Sequence, residues 1–552
     1  AMVARQARAL AGEGAAVVVP DLSGTGDSSA GLEDVSWQDW VEDTVYIARW
    51  AQAQGAERLV LWGHRLGCLL ALDVAQVLGQ SVAQLLLWQP VHSGKQHMTQ
   101  FLRVRMAAGL AAGGSETVSS LQDTLLREQS LEVAGYALGA GLYQDIVSRT
   151  LSAFTPTPGT DVSILEVAAD PGRPLMPVSQ KLLEQWSQRG VSCAAQVVEG
   201  DPFWMTQELG FAPRLIEQTS ALVMARLGVE ESVGLPGSEE PTGSQTKRLA
   251  DTSEQGEKGI VFCCGEQQLV GVVHGVQTES SVGVLIVVGG PQYRVGSHRQ
   301  FVHLARHLAA GGVPAMRFDY RGMGDSAGNL AGFEHIGSDI SSAIDAFQSE
   351  CPGVSDIVLW GLCDAATASM FYAASDSRVG AVILANPWVY SPQGAAKAYL
   401  KHYYLQRLFQ REFWSKVFSG KYSPSSSLGS ARDMIARALG RQVPVAEPGE
   451  QSPVMSAAGG STGPGDATTD LVARFAESLA AFEGRVLILL SSNDLTAAEF
   501  VDASSSNRAL RNALKRDNVV QTQLKNMDHT FSRGEWRAEV EALSCALAQR
   551  LK

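Results

Sequence analysis

The sequence predicts two tandem α/β domains, each a mostly parallel sheet flanked by helices. The first copy is incomplete, and the second carries a cap-like insertion. Three observations carry this. First, VVVPDLSGTGDSSAG (17–31) matches AMRFDYRGMGDSAG (315–328), and RLVLWGHRLGCLLALDVA (58–75) matches DIVLWGLCDAATASMFYA (356–373). Asp21 falls on Asp319, Asp27 on Asp325 and Gly63 on Gly361, at one constant offset. Similarity held at a fixed offset means two copies of one unit. Second, each copy alternates apolar β-branched runs with amphipathic helical stretches, the pattern of βαβ crossovers. Third, both copies hold a buried run followed by a glycine-flanked turn and a helix rich in small residues.

In chain order, 1–228 forms the first domain and 229–258 a linker. That segment, VEESVGLPGSEEPTGSQTKRLADTSEQGEK, is polar and lacks apolar periodicity, so it is expected to be flexible. The second domain runs from 259 to 552. Its expected strands are 260–264, 269–274, 283–289, 313–318, 356–360, 380–385, 485–490 and roughly 519–525. Eight strands with a sharp turn after the fifth is the α/β-hydrolase arrangement. The D-x-R-G-x-G-D-S turn from Asp319 to Ser326 is easily mistaken for a phosphate loop, but it lacks the Lys-Ser/Thr that a P-loop needs. An insertion, 391–484, lies where this fold carries a cap. It contains a run, 443–469, expected to be disordered, and an aromatic helical stretch with Tyr403, Tyr404, Phe409 and Trp414. Those aromatics read first as packing of the cap on the sheet and second as the wall of an acyl pocket.

Composition narrows the function classes. The chain has 552 residues, 45% of them hydrophobic and 18% charged, which is room for two or three domains with full cores. A net charge of −13 argues against a nucleic-acid or anionic-membrane partner. No window approaches twenty uninterrupted apolar residues, and no signal-peptide pattern opens the chain, so a cytoplasmic protein without a membrane span is expected. The 7 cysteines show no C-x-x-C spacing. Neither a disulfide framework nor a zinc site is expected, and no cofactor has a supporting motif.

The candidate chemistry lies in the second copy. Gly361-Leu362-Cys363-Asp364-Ala365 has the small-x-nucleophile-x-small form of a nucleophile elbow, with cysteine in the nucleophile position. A helix N-terminus behind that residue favours a thiolate and a developing oxyanion. In this fold the orienting acid and the histidine follow in that order. Asp494 stands just past a strand, with Glu499 as the fallback acid, and Asp528 reads as a turn residue. His529 follows the last strand and is the only histidine beyond residue 402. The expected triad is therefore Cys363, Asp494 and His529. The expected oxyanion donors are the backbone N–H groups of Asp364 and Gln292, with Gly290 as the alternative; Pro291 has no N–H.

The first copy reads as degenerate. Its elbow, Gly63-His64-Arg65-Leu66-Gly67, keeps the glycines but places Arg65 in the nucleophile position, where a permanently protonated side chain cannot attack. No histidine occurs between His97 and His274, and the histidine position offers Asp201 or Pro202. Asp170 keeps the acid position with nothing to orient. Ala1 aligns with Arg299, so the counterpart of 259–298, strands one to three with the oxyanion loop, is missing, and a truncated copy with unpaired strand edges is expected.

The second half, through GLCDAA, SHRQFVHLARHLA, FDYRGMGDS and NDLTAAEF, resembles the exosortase A system-associated hydrolase 1 family. The first half, through LWGHRLGCLLALD, PDLSGTGDSS and GDPFWMTQE, resembles the exosortase A system-associated hydrolase 2 family. The cysteine elbow is also similar to that of dienelactone hydrolases. The resemblance covers most of the chain outside the linkers and implies a bacterial protein encoded near exopolysaccharide and protein-sorting genes. It departs from those families in the missing N-terminal strands and in joining what are usually separate chains. The expected activity is cysteine-dependent hydrolysis of an ester, thioester or lactone, on a small-molecule or glycan-linked acyl substrate. Acyl transfer by the same residues, and a non-catalytic scaffold within a homo-oligomer or protein complex, are the alternatives.

Overall fold

A computed structural model describes residues 2–111, 114–205, 210–228, 247–248, 256–290, 292–389 and 471–552. The chain divides into two units, Ala1–Glu240 and Pro241–Lys552. Most of the linker at 229–258 and most of the cap at 391–484, including the run 443–469, lie outside the described residues.

The first unit contains the strands β1 (Leu59–His64), β2 (Val82–Trp88), β5 (Asp161–Ala168) and β6 (Cys193–Glu199), all parallel and in the order β1-β2-β5-β6. A separate antiparallel hairpin joins β3 (Ser130–Val133) to β4 (Tyr136–Gly139). The run Val17–Val19 is the sequence counterpart of a strand in the second unit, yet it forms none here. Val18 and Val19 are 46% and 54% exposed. The turn after this run survives: Asp27 N–H donates to Asp21 Oδ2 at 2.9 Å, as Asp325 N–H donates to Asp319 Oδ2 at 3.0 Å in the second unit.

Among the described residues, the second unit carries a nine-stranded sheet. Its strands are β7 (Lys247–Arg248), β8 (Glu257–Cys264), β9 (Gln267–His274), β10 (Val282–Val287), β11 (Ala315–Asp319), β12 (Asp356–Leu362), β13 (Val379–Ala385), β14 (Arg485–Ser491) and β15 (Val519–Leu524). Their order is β15-β14-β13-β12-β10-β11-β9-β8-β7. From β11 to β15 every pairing is parallel, whereas β9 pairs antiparallel with both β11 and β8. All eight strands expected from the sequence are present, and β7 adds a short edge. This is the α/β-hydrolase fold.

Why these runs are strands follows from their surroundings. Every residue of β10 is buried, as a central parallel strand covered on both faces requires. Trp360 faces the helices Gln300–Ala310 and Gly534–Gln549. Its ring meets Phe301 at 5.6 Å, and its indole N–H donates to Ser544 Oγ at 3.1 Å. Gly283 lies under Phe347 of the helix Gly337–Glu350, where an added Cβ would come within 2.7 Å of the ring. Parallel strands also bring their C-terminal ends to one edge of the sheet, where ligands of open α/β sheets bind. The loops after β10, β12, β14 and β15 meet there.

Candidate active site

The elbow follows β12. Cys363 has φ +62° and ψ −124°, a conformation that costs a non-glycine residue of order 1–3 kcal/mol and persists only where its surroundings impose it. Two backbone hydrogen bonds impose it here. Cys363 N–H donates to Ala385 O at 2.9 Å, and Trp388 N–H donates to Cys363 O at 3.1 Å. Gly361 has to be glycine, since a Cβ there would stand 2.5 Å from Ala365 O. The helix Asp364–Ala373 begins at once, so its N-terminus lies behind the thiol.

The other two expected triad residues converge on the same edge. Asp494, at the end of β14, is 6% exposed and caps the helix Leu495–Ser506 by accepting from Thr496 N–H at 3.3 Å and Ala497 N–H at 3.0 Å. His529, in the loop after β15, places Nδ1 3.0 Å from Asp494 Oδ2, within ion-pair distance although off the line of a straight hydrogen bond. His529 and Cys363 also influence each other's proton affinity. Burial works against the imidazolium, but hydrogen bonding and charge from Asp494 and Cys363 outweigh it and raise His529 to about 10. Burial pushes the Cys363 thiol above its ordinary value and the Asp364 charge pushes the same way, while His529 pulls it back.

Glu499, the fallback acid, sits on the helix Leu495–Ser506, where burial and the charge of Asp494 raise it to about 7. Asp528 is the turn residue the sequence implies: it accepts from Ser532 N–H at 2.9 Å.

The oxyanion loop departs from expectation. Gln292 N–H closes a turn onto Gly289 O at 3.3 Å, so it is not a free donor. Gly290 N–H, the alternative, is the one that reaches the elbow, donating to Asp364 Oδ2 at 2.9 Å. The loop is anchored by Arg294. Its N–H donates to Asp319 Oδ1 at 2.6 Å, and its guanidinium pairs with Asp319 at 2.6 Å and Asp325 at 2.7 Å. The glycine-rich turn after β11 is thus a clamp for this loop.

Asn386 was missed by the sequence reading. It lies just past β13 with φ +44° and is fully buried. Its Nδ2 donates to Ser491 Oγ and to His529 O, both at 3.1 Å, and its Oδ1 accepts from Ser491 N–H at 2.8 Å. It therefore ties the ends of β13 and β14 to the histidine loop. The only signal was a buried amide immediately after an apolar strand (ILAN), which sequence alone does not separate from a turn residue.

The first unit keeps the elbow backbone. Arg65 has φ +55°, its N–H donates to Trp88 O at 3.0 Å, and Val91 N–H donates to its carbonyl at 3.2 Å. These match the two bonds that hold Cys363. The guanidinium lies 5.6 Å from the centroid of the Trp204 ring and donates to Gln89 O at 3.4 Å. Asp170 is exposed and accepts from Gly172 N–H at 2.8 Å. Among the described residues no cluster of His, Cys, Asp and Glu could hold a metal ion, and no helix is long and apolar enough to cross a membrane.

Comparison with known proteins gives one family match. The family described as Hydrolase_4, serine aminopeptidase, S33, matches residues 1–131 and 283–531. No curated protein matches the chain. Among solved structures, an esterase of Pyrococcus furiosus is 10% identical, with a TM-score of 0.33, over 57% of this chain and 96% of its own. Est1E of Butyrivibrio proteoclasticus, with ferulic acid bound, is 14% identical with a TM-score of 0.32, over 53% and 96%. Proline iminopeptidase of Mycobacterium smegmatis is 14% identical with a TM-score of 0.33, over 53% and 98%.

Proposed function

The chain belongs to the Hydrolase_4 family of α/β hydrolases, and we propose that its second unit is a thiol-dependent acyl hydrolase acting on esters, thioesters or lactones. The observation that carries the reading is the convergence of an elbow cysteine at φ +62° with a histidine whose Nδ1 stands 3.0 Å from a buried carboxylate. The Cys363 proton resides on His529 as a thiolate–imidazolium pair, and the thiolate attacks the acyl carbonyl to give a tetrahedral oxyanion. Collapse breaks the bond to the alkoxide or thiolate leaving group, which receives the proton from His529. The acyl group remains on Cys363 as a thioester. Water then attacks, His529 takes its proton and returns it to the departing sulfur, and the free acid leaves. Asp494 fixes the tautomer of His529 and stabilises the imidazolium. A thiolate suits activated acyl groups better than amides, so the peptidase name of the family does not transfer with the fold. The resemblance to the exosortase-associated hydrolases favours a glycan-linked or exopolysaccharide-related acyl substrate.

The test is acyl-enzyme formation with p-nitrophenyl acetate, followed by mass spectrometry of the intact protein and of its peptides. The expected result is one acetyl adduct on Cys363 that turns over, lost in Cys363→Ala and reduced on the order of 100-fold or more in His529→Ala. A folded protein that acetylates Cys363 no faster than its other cysteines would overturn the reading and favour the scaffold.

A further inference from the structure

The triad does not account for Asp364, the residue directly after Cys363. We propose that the Asp364 carboxylate occupies the oxyanion position of the resting site and holds the Gly290 N–H until an acyl substrate displaces it. This deepens the acyl-hydrolase reading above and rests on it.

Three observations converge. Gly290 N–H donates to Asp364 Oδ2 at 2.9 Å, so the loop donor that could receive an oxyanion is already bonded to one. The N–H groups of Asp364 and Ala365, at the start of the helix, face the same carboxylate. The other oxygen, Oδ1, is buried without a hydrogen-bond partner among the described residues. It packs against Gly289, where an added Cβ would lie 2.2 Å from it. The chain therefore leaves a side-chain-sized space in its oxyanion loop and fills it with a charge.

A carboxylate is a fair copy of a tetrahedral oxyanion: it is anionic and accepts from the same donors. The two cannot share the Gly290 N–H, and like charges at that separation repel. Attack on a carbonyl thus requires Asp364 to swing away or to take up a proton. Burial, which raises this carboxyl, favours protonation, and the Gly290 hydrogen bond opposes it. Burial raises Cys363 and Tyr320, and the same carboxylate adds to that rise in both. Its removal will therefore increase the thiolate fraction too, and a test has to separate the two effects.

Iodoacetamide and p-nitrophenyl acetate separate them. Both consume the Cys363 thiolate, but only the ester develops an oxyanion. In the full chain, Asp364→Ala should raise the rate of Cys363 acetylation on the order of 10-fold beyond any change in its alkylation rate. Asp364→Asn, which keeps the shape and an acceptor oxygen but not the charge, should fall between Ala and the native residue. Acetylation and alkylation rising in parallel would overturn the proposal, leaving Asp364 as a charge that tunes the thiol. A drop in acetylation with alkylation intact would overturn it as well, showing that the carboxylate supports the loop. Acetylation absent from Cys363 in the native protein and both variants, with alkylation intact, would sink the acyl-hydrolase reading itself and the oxyanion assignment with it.

Discussion

At the level of single residues, the order nucleophile, acid, histidine was legible because this fold fixes it and because His529 has no rival after residue 402. The environment of each group was not legible. A sequence shows that Asp494 follows a strand. It does not show that the carboxylate also caps a helix, or that Asp494 and Cys363 together raise His529 to about 10. This gives a pH prediction. With Asp494 in place, His529 keeps its proton through neutrality, so the limb of the rate profile that reports loss of that proton lies on the alkaline side. Asp494→Asn retains a helix-capping oxygen but removes the charge. Burial, which disfavours the imidazolium, then goes less opposed, and this limb should move to lower pH. The maximal rate should fall by roughly 10²–10⁴, by analogy with the loss of the orienting acid in serine triads. Stopped-flow acylation between pH 5 and about 11 measures both. A fall in rate with no movement of the limb would mean that Asp494 does not govern the proton on His529.

At the level of elements, strand positions were legible from β-branched runs and from the repeat, and the eight runs read from the second half are strands. What the pattern could not give is how strand ends are stitched together. The sequence points to Gln292 as the oxyanion donor because Pro291, just before it, lacks an N–H. The turn Gln292 N–H to Gly289 O uses that donor internally. Asn386 is the other case. Its amide makes three hydrogen bonds across β13, β14 and the His529 loop, entirely out of solvent. Asn386→Ala strands the buried Ser491 N–H and the part-buried His529 carbonyl, which should cost about 1–3 kcal/mol for the first and less for the second. The histidine loop should loosen with it. Expected outcomes are a lower midpoint in urea and a kcat loss larger than any change in KM. Full activity in a stable Asn386→Ala would show that the loop holds its shape without the amide.

At the level of the whole molecule, one chain carries two elbows with the same backbone and different chemistry. The bonds that hold Cys363 and Arg65 are the same pair, one donated to the end of the next strand and one accepted from three residues beyond it. The backbone strain of the elbow therefore persists where no nucleophile uses it. Arg65 sits among histidines that burial keeps below their ordinary values: His64 at about 4, and His92 and His97 also lowered, with the Arg65 charge adding to the effect in all three. Cys68, the nearest thiol in that elbow, is fully buried and its pKa is raised by that burial, so it offers no thiolate. Neither Arg65 nor Cys68 can start acyl transfer at this elbow, and activity should follow the second unit. Arg65→Ala in the full chain should leave p-nitrophenyl acetate turnover within about 2-fold, the range of substitutions outside the working site, and the adduct should still map to Cys363. Cys363→Ala should abolish the adduct whichever residue stands at position 65. A loss of Cys363 acylation in Arg65→Ala, in a protein that unfolds at the native midpoint, would show that the first unit contributes to the reaction despite lacking a nucleophile.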